Sequence, residues 1–226
     1  MAKITSSRIS RPEPPGGSPH SVFTRGTGVP LPPPDLSSHH SLEACLLNRR
    51  SCREFSALPL TLAEVAQLLW AAQGVTGLGG LRTAPSAGAL YPLHTYVAAA
   101  NVEGLEPGVY RYDPDGHLLT PTGEGGRREQ LMLAVLGQQC AADAAVAILF
   151  AAYYGLARRE FGPHAPRLAH IEAGHAAQNL CLQAAALDLG LIGLGKFDAD
   201  LLREALGVPA REEPLYLVVA GRKQTV

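Results

Sequence analysis

Arg49-Arg50-Ser51-Cys52-Arg53-Glu54-Phe55, followed thirty residues on by Thr83-Ala84-Pro85-Ser86-Ala87-Gly88-Ala89-Leu90-Tyr91-Pro92, organises the reading of this chain. Arg49, Arg50, Ser51 and Arg53 crowd three guanidinium groups and a hydroxyl into five positions. Guanidinium groups stay charged and grip phosphate oxygens at two points, and a serine hydroxyl adds a further donor. By periodicity alone the same residues also suit the solvated basic end of a helix, where they complement its dipole. Pro85, Ser86, Ala87 and Gly88 carry little side-chain bulk, so backbone N–H and C=O groups there can approach a flat heterocycle, with Ser86 hydrogen-bonding it. A phosphate carrying a planar ring answers to both segments, and flavin mononucleotide (FMN) is such a molecule.

The chain has 226 residues, 46% of them hydrophobic, enough for a substantial core in one unit. A formal net charge of −1 opposes a general nucleic-acid or polybasic membrane role, which makes the arginine cluster a local feature. Cys45, Cys52, Cys140 and Cys181 are widely spaced and form no C-x-x-C pair. That predicts reduced thiols in a cytoplasmic protein, not a disulfide framework or a zinc ribbon. No apolar run reaches the roughly 18–20 residues of a membrane helix. Residues 1–28 lack the apolar centre of a signal peptide.

Two parts are expected. Residues 1–40 hold Pro12, Pro14, Pro15, Pro19, Pro30, Pro32, Pro33 and Pro34 among Gly, Ser and Arg, a composition for extended chain. They read as a flexible tail or as an arm that wraps a partner subunit, anchored by Val29-Pro30-Leu31-Pro32. Residues 41–226 form the binding domain. A helix is expected over 41–49. Thr61-Leu62-Ala63-Glu64 is a capping box opening a helix with Leu62, Val65, Leu68, Leu69 and Ala72 at helical spacing, ending at Gly74. Trp70 in that helix reads as core. Strands are expected over 94–100 and 109–112, the second turning through Asp113-Pro114-Asp115-Gly116 into Leu118-Leu119.

Further helices are predicted over 127–136, 168–189 and, capped by Asp198, to about Leu206. Buried strands are predicted over 144–154 and 215–220. In the long helix Ala173, Gly174, Ala176 and Ala177 would let another helix or a second subunit approach closely. Helices and strands interleave without a regular βαβ period, so the fold class is α+β.

Other motifs are weaker. Gly190-Leu191-Ile192-Gly193-Leu194-Gly195-Lys196 has the order GxxGxG with no expected strand before it, so it fails the dinucleotide fingerprint. It reads as a helix cap with a turn, or as a loop whose backbone reaches a ring. A nucleophile elbow at Ser86 would need glycine where Ala84 stands. His170 and His175 are five apart, about 140° round a helix, which is wrong for a zinc pair. Gly123-Glu124-Gly125-Gly126-Arg127 lacks the lysine of a phosphate-binding P-loop.

Taken in order, these segments resemble the nitroreductase-like flavoprotein family, most closely its SagB-type azoline dehydrogenase branch. The residues that carry the resemblance are the Arg49–Phe55 and Thr83–Pro92 stretches and Leu69-Trp70-Ala71-Ala72-Gln73-Gly74-Val75-Thr76-Gly77. Glu172-Ala173-Gly174-His175-Ala176-Ala177-Gln178-Asn179-Leu180 and residues 190–198 and 214–222 complete it. The resemblance implies a three-layer fold, a central mixed β-sheet flanked by helices, and a homodimer with FMN at the subunit interface.

It also implies that Arg49, Ser51 and Arg53, with Arg50 in the same motif, hold the FMN phosphate, joined by Arg222. Pro85, Ser86, Ala87 and Gly88 would line the isoalloxazine. Gly193 and Leu194 would bring backbone to flavin N5, where hydride is exchanged.

This chain departs from the family in two places. Azole-forming members carry a Lys-Tyr acid/base pair where this chain has Glu160-Phe161. Phe161 offers no proton, and Glu160 would serve only if burial raised its pKa. Ordinary nitroreductases have Asn and Gln in the ring loop, where this chain has Ala89 and Tyr91. The expectation is an FMN-dependent oxidoreductase acting on a small molecule or a modified, azoline-like peptide. Two alternatives stand beside it. One is an NAD(P)H-dependent nitro or quinone reductase; the other is a non-catalytic flavin-binding partner in a biosynthetic complex. No catalytic residue and no metal is assigned.

Overall fold

A computed structural model describes residues 28–124 and 128–224. The expectations for residues 1–27, and for Gly125, Gly126 and Arg127, lie outside the described residues. The chain enters through β1 (Val29–Pro30) and α1 (Leu42–Asn48), where Ser41 caps the helix by accepting from Ala44 N. After β2 (Leu60–Thr61) comes α2 (Leu62–Gln73), opened by the expected capping box. Thr61 Oγ1 accepts from Glu64 N at 3.2 Å, and Thr61 N donates to Glu64 Oε2 at 2.8 Å. The two bonds satisfy donors that a helix start otherwise leaves unpaired.

A short hairpin, β3 (Val75–Gly77) and β4 (Leu81–Arg82), precedes β5 (Leu93–Ala99), β6 (Val102–Glu103), β7 (Gly108–Asp113) and β8 (Leu118–Glu124). The second half runs α3 (Arg128–Ala134), α4 (Cys140–Asp143), β9 (Val146–Ala152), α5 (Gly155–Phe161) and α6 (Ala165–Ala186). It closes with β10 (Leu189–Leu194), α7 (Ala199–Ala205) and β11 (Glu213–Arg222).

The main sheet has seven strands in the order β1-β8-β7-β5-β9-β11-β10. Every pairing in it is antiparallel, so the mixed sheet implied by the resemblance is corrected for the described residues. The connections explain the difference. The β7–β8 link is a hairpin, and α7 returns the chain from β10 to run against it as β11, so no parallel crossover forms in this sheet. All seven residues of β9 are buried. Val146, Ile148 and Phe150 pack in the core under α2 and α6, while Ala147, Leu149 and Ala151 pack in a second core with Leu131 of α3 and Leu202 of α7. The period-two alternation of a strand thus feeds two helix layers, and α+β in three layers is the observed class.

Two further expectations change. Residues 190–194 are a strand, not a loop: β10 pairs along its length with β11, from Leu189 opposite Arg222 to Leu194 opposite Leu217. Its glycines are places where other groups sit. A Cβ on Gly190 would meet Cys52 Sγ at 2.8 Å and Phe55 Cε1 at 3.0 Å. Trp70, expected in the core, is half-buried beside Gly74 and rims a groove formed with α6 and residues 35–42. Val29-Pro30-Leu31-Pro32 docks on the edge of this chain's own sheet, with Leu31 N donating to His117 O at 3.0 Å. No helix among the described residues is long and apolar enough to cross a membrane.

Candidate cofactor site

Arg49 is the C-cap of α1, its N–H bonded to Cys45 O at 2.9 Å. Beyond it the chain is tied to the sheet: Cys52 N donates to Leu191 O at 3.0 Å, and Phe55 bridges Lys223 just past β11. These ties bring Arg49, Arg50, Ser51, Arg53 and Lys223 around one cleft of about 590 Å³, floored by Cys181 of α6 and by Leu189 and Leu191 of β10. Burial pushes the Cys181 thiol up, and the nearby Arg49 charge pulls it back.

Arg50 behaves as a helix-end residue: its Nη1 donates to Leu47 O at 2.9 Å and Arg49 O at 2.8 Å. Arg49, Arg53 and Lys223 have no ion-pair partner among the described residues. Three uncommitted cations in a concave site make a receptor for a phosphate monoester.

Arg222 does not line this cleft. Its guanidinium is held on the α2 side of β11 by Glu64, with Nη1–Oε1 at 2.7 Å and Nη2–Oε2 at 2.8 Å, and by Pro59 O at 3.2 Å. Alternation along a strand accounts for it: Lys223, the next residue, points where Arg222 was expected.

Gly193 faces α6, and a Cβ there would overlap the hydroxyl of Tyr216, which packs across the strand. Leu194 is buried in the core on the opposite face, so only its backbone is available to a ligand.

The Pro85–Gly88 loop contains a single 3-10 turn, Ala87–Ala89. Gly88 has φ 61°, and Ala89 and Tyr91 also sit at positive φ, 53° and 48°. Non-glycine residues reach that region at a cost of roughly 1–2 kcal/mol each. Ser86 Oγ accepts from Tyr91 N at 2.9 Å, which pins the bend.

Beneath the loop lies a polar group that the sequence did not announce. Glu172 of α6 is 3% exposed. Burial pushes its carboxyl up to about 7, against the opposing pull of Ser86 and Arg82. Arg82 donates to Gln73 Oε1 at 2.8 Å and lies 4.6 Å over the Tyr91 ring. Glu172 Oε1, Arg82 Nε and Gln73 Nε2 are buried without a protein partner. The one sequence signal for Glu172 was a carboxylate on a helix face otherwise made of Ala169, Ala173 and Ala176.

Glu160 is exposed on α5, so burial does not make it a base within this chain. Phe161 instead lies against the Pro85–Gly88 loop: a Cβ on Gly88 would meet its Cζ at 3.2 Å. The arginine cleft and the loop do not meet in one chain. They touch α6 at Cys181 and Glu172, about 14 Å apart at 1.5 Å rise per residue. On the other face of the sheet, His94 Nδ1 lies 2.9 Å from Glu212 Oε1, and Tyr96 donates to Glu212 Oε2 at 2.8 Å. This cluster also went unforeseen.

A profile of the Nitroreductase family matches residues 46–222. A protein of Methanocaldococcus jannaschii bearing the nitroreductase name is 42% identical over 182 residues, covering 80% of this chain and 91% of that protein. The crystal structure of a nitroreductase-named protein from Ralstonia eutropha superposes with a TM-score of 0.77 at 32% identity, covering 91% of this chain and 93% of that one. A chain of the Escherichia coli microcin synthetase McbBCD complex, solved with truncated pro-MccB17 bound, shares the fold at TM-score 0.68 and 20% identity, covering 96% of this chain and 79% of that one.

Proposed function

Because the chain belongs to the nitroreductase family, we propose that it is an FMN-dependent oxidoreductase with the FMN phosphate in the arginine cleft. The single observation that carries this reading is the convergence of Arg49, Ser51, Arg53 and Lys223 on one cleft. The donor set fits a phosphate monoester, with Arg50 shaping the helix end beside it and Lys223 in the role first given to Arg222. Pro85, Ser86, Ala87 and Gly88 take the ring, where the orphaned buried atoms of Glu172, Arg82 and Gln73 suit a polar heterocycle. Gly193 and the backbone of Leu194 complete the approach.

Bound FMN supplies two-electron, hydride-type chemistry at N5. The protein's part is to bind, orient and exclude water, with Phe161 as an apolar wall at Gly88.

The spacing of about 14 Å between cleft and loop along α6 supports a homodimer, in which a partner subunit brings the other half-site near. The substrate is a small molecule or a modified peptide. The fold shared with the microcin synthetase chain favours the peptide, of the azoline-like kind acted on by SagB-type enzymes. Relatives bearing the nitroreductase name favour the second reading, NAD(P)H-dependent nitro or quinone reduction. In the third, the protein binds flavin without catalysis and serves a biosynthetic complex. Anaerobic mixing separates them. Bleaching by NAD(P)H marks the reductase, bleaching by reduced substrate the dehydrogenase, and neither response across a panel the binding role.

A further inference from the structure

β10 is an edge strand of the main sheet, paired with β11 on one side only. Leu191 O is turned to the open side, where it accepts from Cys52 N at 3.0 Å. Backbone groups alternate in direction along a strand, so Gly193, two residues on, turns its N–H to that same open side. Side chains alternate with the same period. Leu189 and Leu191 floor the arginine cleft, and Gly193 is the next position on that face, roughly 7 Å beyond Leu191.

No side chain stands at that position, and Tyr216 of β11 fills the space instead. A Cβ on Gly193 would overlap the Tyr216 hydroxyl and meet its Cζ at 2.7 Å. The phenol ring packs against the core beneath α6. Its hydroxyl has no hydrogen-bond partner among the described residues. Tyr216 and Gly193 are both half-buried and Gly195 is exposed, so this end of the strand pair has an open margin.

We propose that the Tyr216 hydroxyl and the Gly193 N–H form a donor pair that binds the acceptor edge of the planar ligand whose phosphate lies in the arginine cleft. The inference rests on the reading of that cleft as the seat of the FMN phosphate. An oxidised isoalloxazine offers carbonyl oxygens and unprotonated ring nitrogens as acceptors. A backbone N–H only donates, and a phenol has one hydrogen to give. Burial pushes the Tyr216 hydroxyl up, and the Cys181 thiol on the cleft floor adds to the effect, so the phenol keeps its proton at neutrality.

The spacing along β10 is of the order of the ribityl chain that separates phosphate from ring in FMN. The cleft floor, Gly193 and Tyr216 belong to one strand pair, so their spacing does not depend on a second subunit. Glycine at 193 has a role in this arrangement, since a side chain there would displace the phenol. Phe161 offers no proton at the Pro85–Gly88 loop; Tyr216 supplies a hydroxyl from a different strand.

Tyr216→Phe removes the hydroxyl and keeps the ring that fills the space at Gly193. Because no protein group bonds that hydroxyl, the urea unfolding midpoint should stay that of the wild type. FMN affinity, measured by calorimetric titration, should fall about three- to tenfold, the scale of one hydrogen bond. Inorganic phosphate, which reaches the cleft and not Gly193, should bind both proteins alike. Carbon-13 NMR of protein labelled at tyrosine Cζ gives a direct readout. The Tyr216 signal, identified by its absence in Tyr216→Phe, should shift with FMN and stay in place with inorganic phosphate.

Equal FMN affinity in wild type and Tyr216→Phe, in a protein whose FMN binding is weakened by Arg53→Ala, overturns the donor pair and leaves the phosphate cleft standing. A Tyr216 signal that FMN leaves unmoved does the same. A lowered urea midpoint with unchanged FMN affinity makes the hydroxyl structural and also overturns the pair. A folded wild-type protein that takes up no FMN overturns the cofactor reading and this inference with it.

Discussion

Arg222 and Glu64 form a two-point ion pair, 2.7 and 2.8 Å, that joins the end of β11 to the capping box of α2. Glu64 thereby serves the helix start and the sheet at once. Arg222→Ala should lower unfolding free energy by about 1–2 kcal/mol, the scale of a charge-assisted bond reduced by partial exposure. FMN affinity should stay within a factor of two or so, a small part of a hydrogen bond. Urea unfolding beside a flavin titration checks both, and loss of FMN with unchanged stability would return Arg222 to the phosphate.

Arg53 and Lys223 make the opposite prediction. Both are exposed at the cleft and carry no structural ion pair among the described residues. Arg53→Ala should weaken FMN binding by about 1.5–3 kcal/mol, and Lys223→Ala by about 1–2 kcal/mol, with little change in stability. Calorimetric titration of each variant measures this. Unchanged affinity would mean the residue does not touch the phosphate.

The pH dependence of stability carries a sign that isolates Glu172. Burial pushes its carboxyl in the folded protein up to about 7, from an ordinary value of 4.5. Between those values the folded state keeps a proton that the unfolded chain has released. The contribution is therefore fully present below about 4.5 and lost by about 7, on the order of 3 kcal/mol. His94 acts the other way. Burial holds it low, so its contribution is present above its unfolded value of about 6.5 and is lost as pH falls from there through the lowered folded value. The difference between Glu172→Gln and wild type removes that background. It should grow in the variant's favour from about pH 4.5 to about pH 7 and then level off. Chemical denaturation across pH tests it, and a flat difference would deny Glu172 a raised pKa.

Gly193 tests the packing beside the proposed ring site. A Cβ there overlaps the Tyr216 hydroxyl, so Gly193→Ala must displace the ring. We expect a loss of about 1–3 kcal/mol. Most of it should be recovered in the double variant with Tyr216→Ala, because the two changes share one space. Thermal unfolding of the four proteins of that cycle gives the answer.

The sequence disclosed those features whose physics is local. The capping box at Thr61 and Glu64, the helix stop at Gly74 and the Asp198 cap all depend on neighbours a few residues away. The run Arg49, Arg50, Ser51 and Arg53 was legible because it is short and continuous, whereas Lys223, which joins it from the other end of the chain, was not. What failed was what depends on distant chain. Gly190 and Gly193 suggested a loop, yet ten-residue β11 supplies a full ladder, and the missing side chains make room for Phe55 and Tyr216. Arg222 and Lys223 differ by one position, which strand alternation turns into opposite faces. Glu172 and Glu212 acquire their character from burial beside residues far away in sequence, Ser86 and His94, which no pattern along the chain reports.

The most direct measurement compares FMN with riboflavin, its counterpart without phosphate, in binding to the purified protein. The account predicts a yellow protein that takes up one FMN per chain and binds riboflavin at least tenfold more weakly, roughly one charge-assisted hydrogen bond. The preference should shrink in Arg53→Ala. A protein that takes up neither flavin, or binds both equally, contradicts the arginine cleft as the seat of the FMN phosphate.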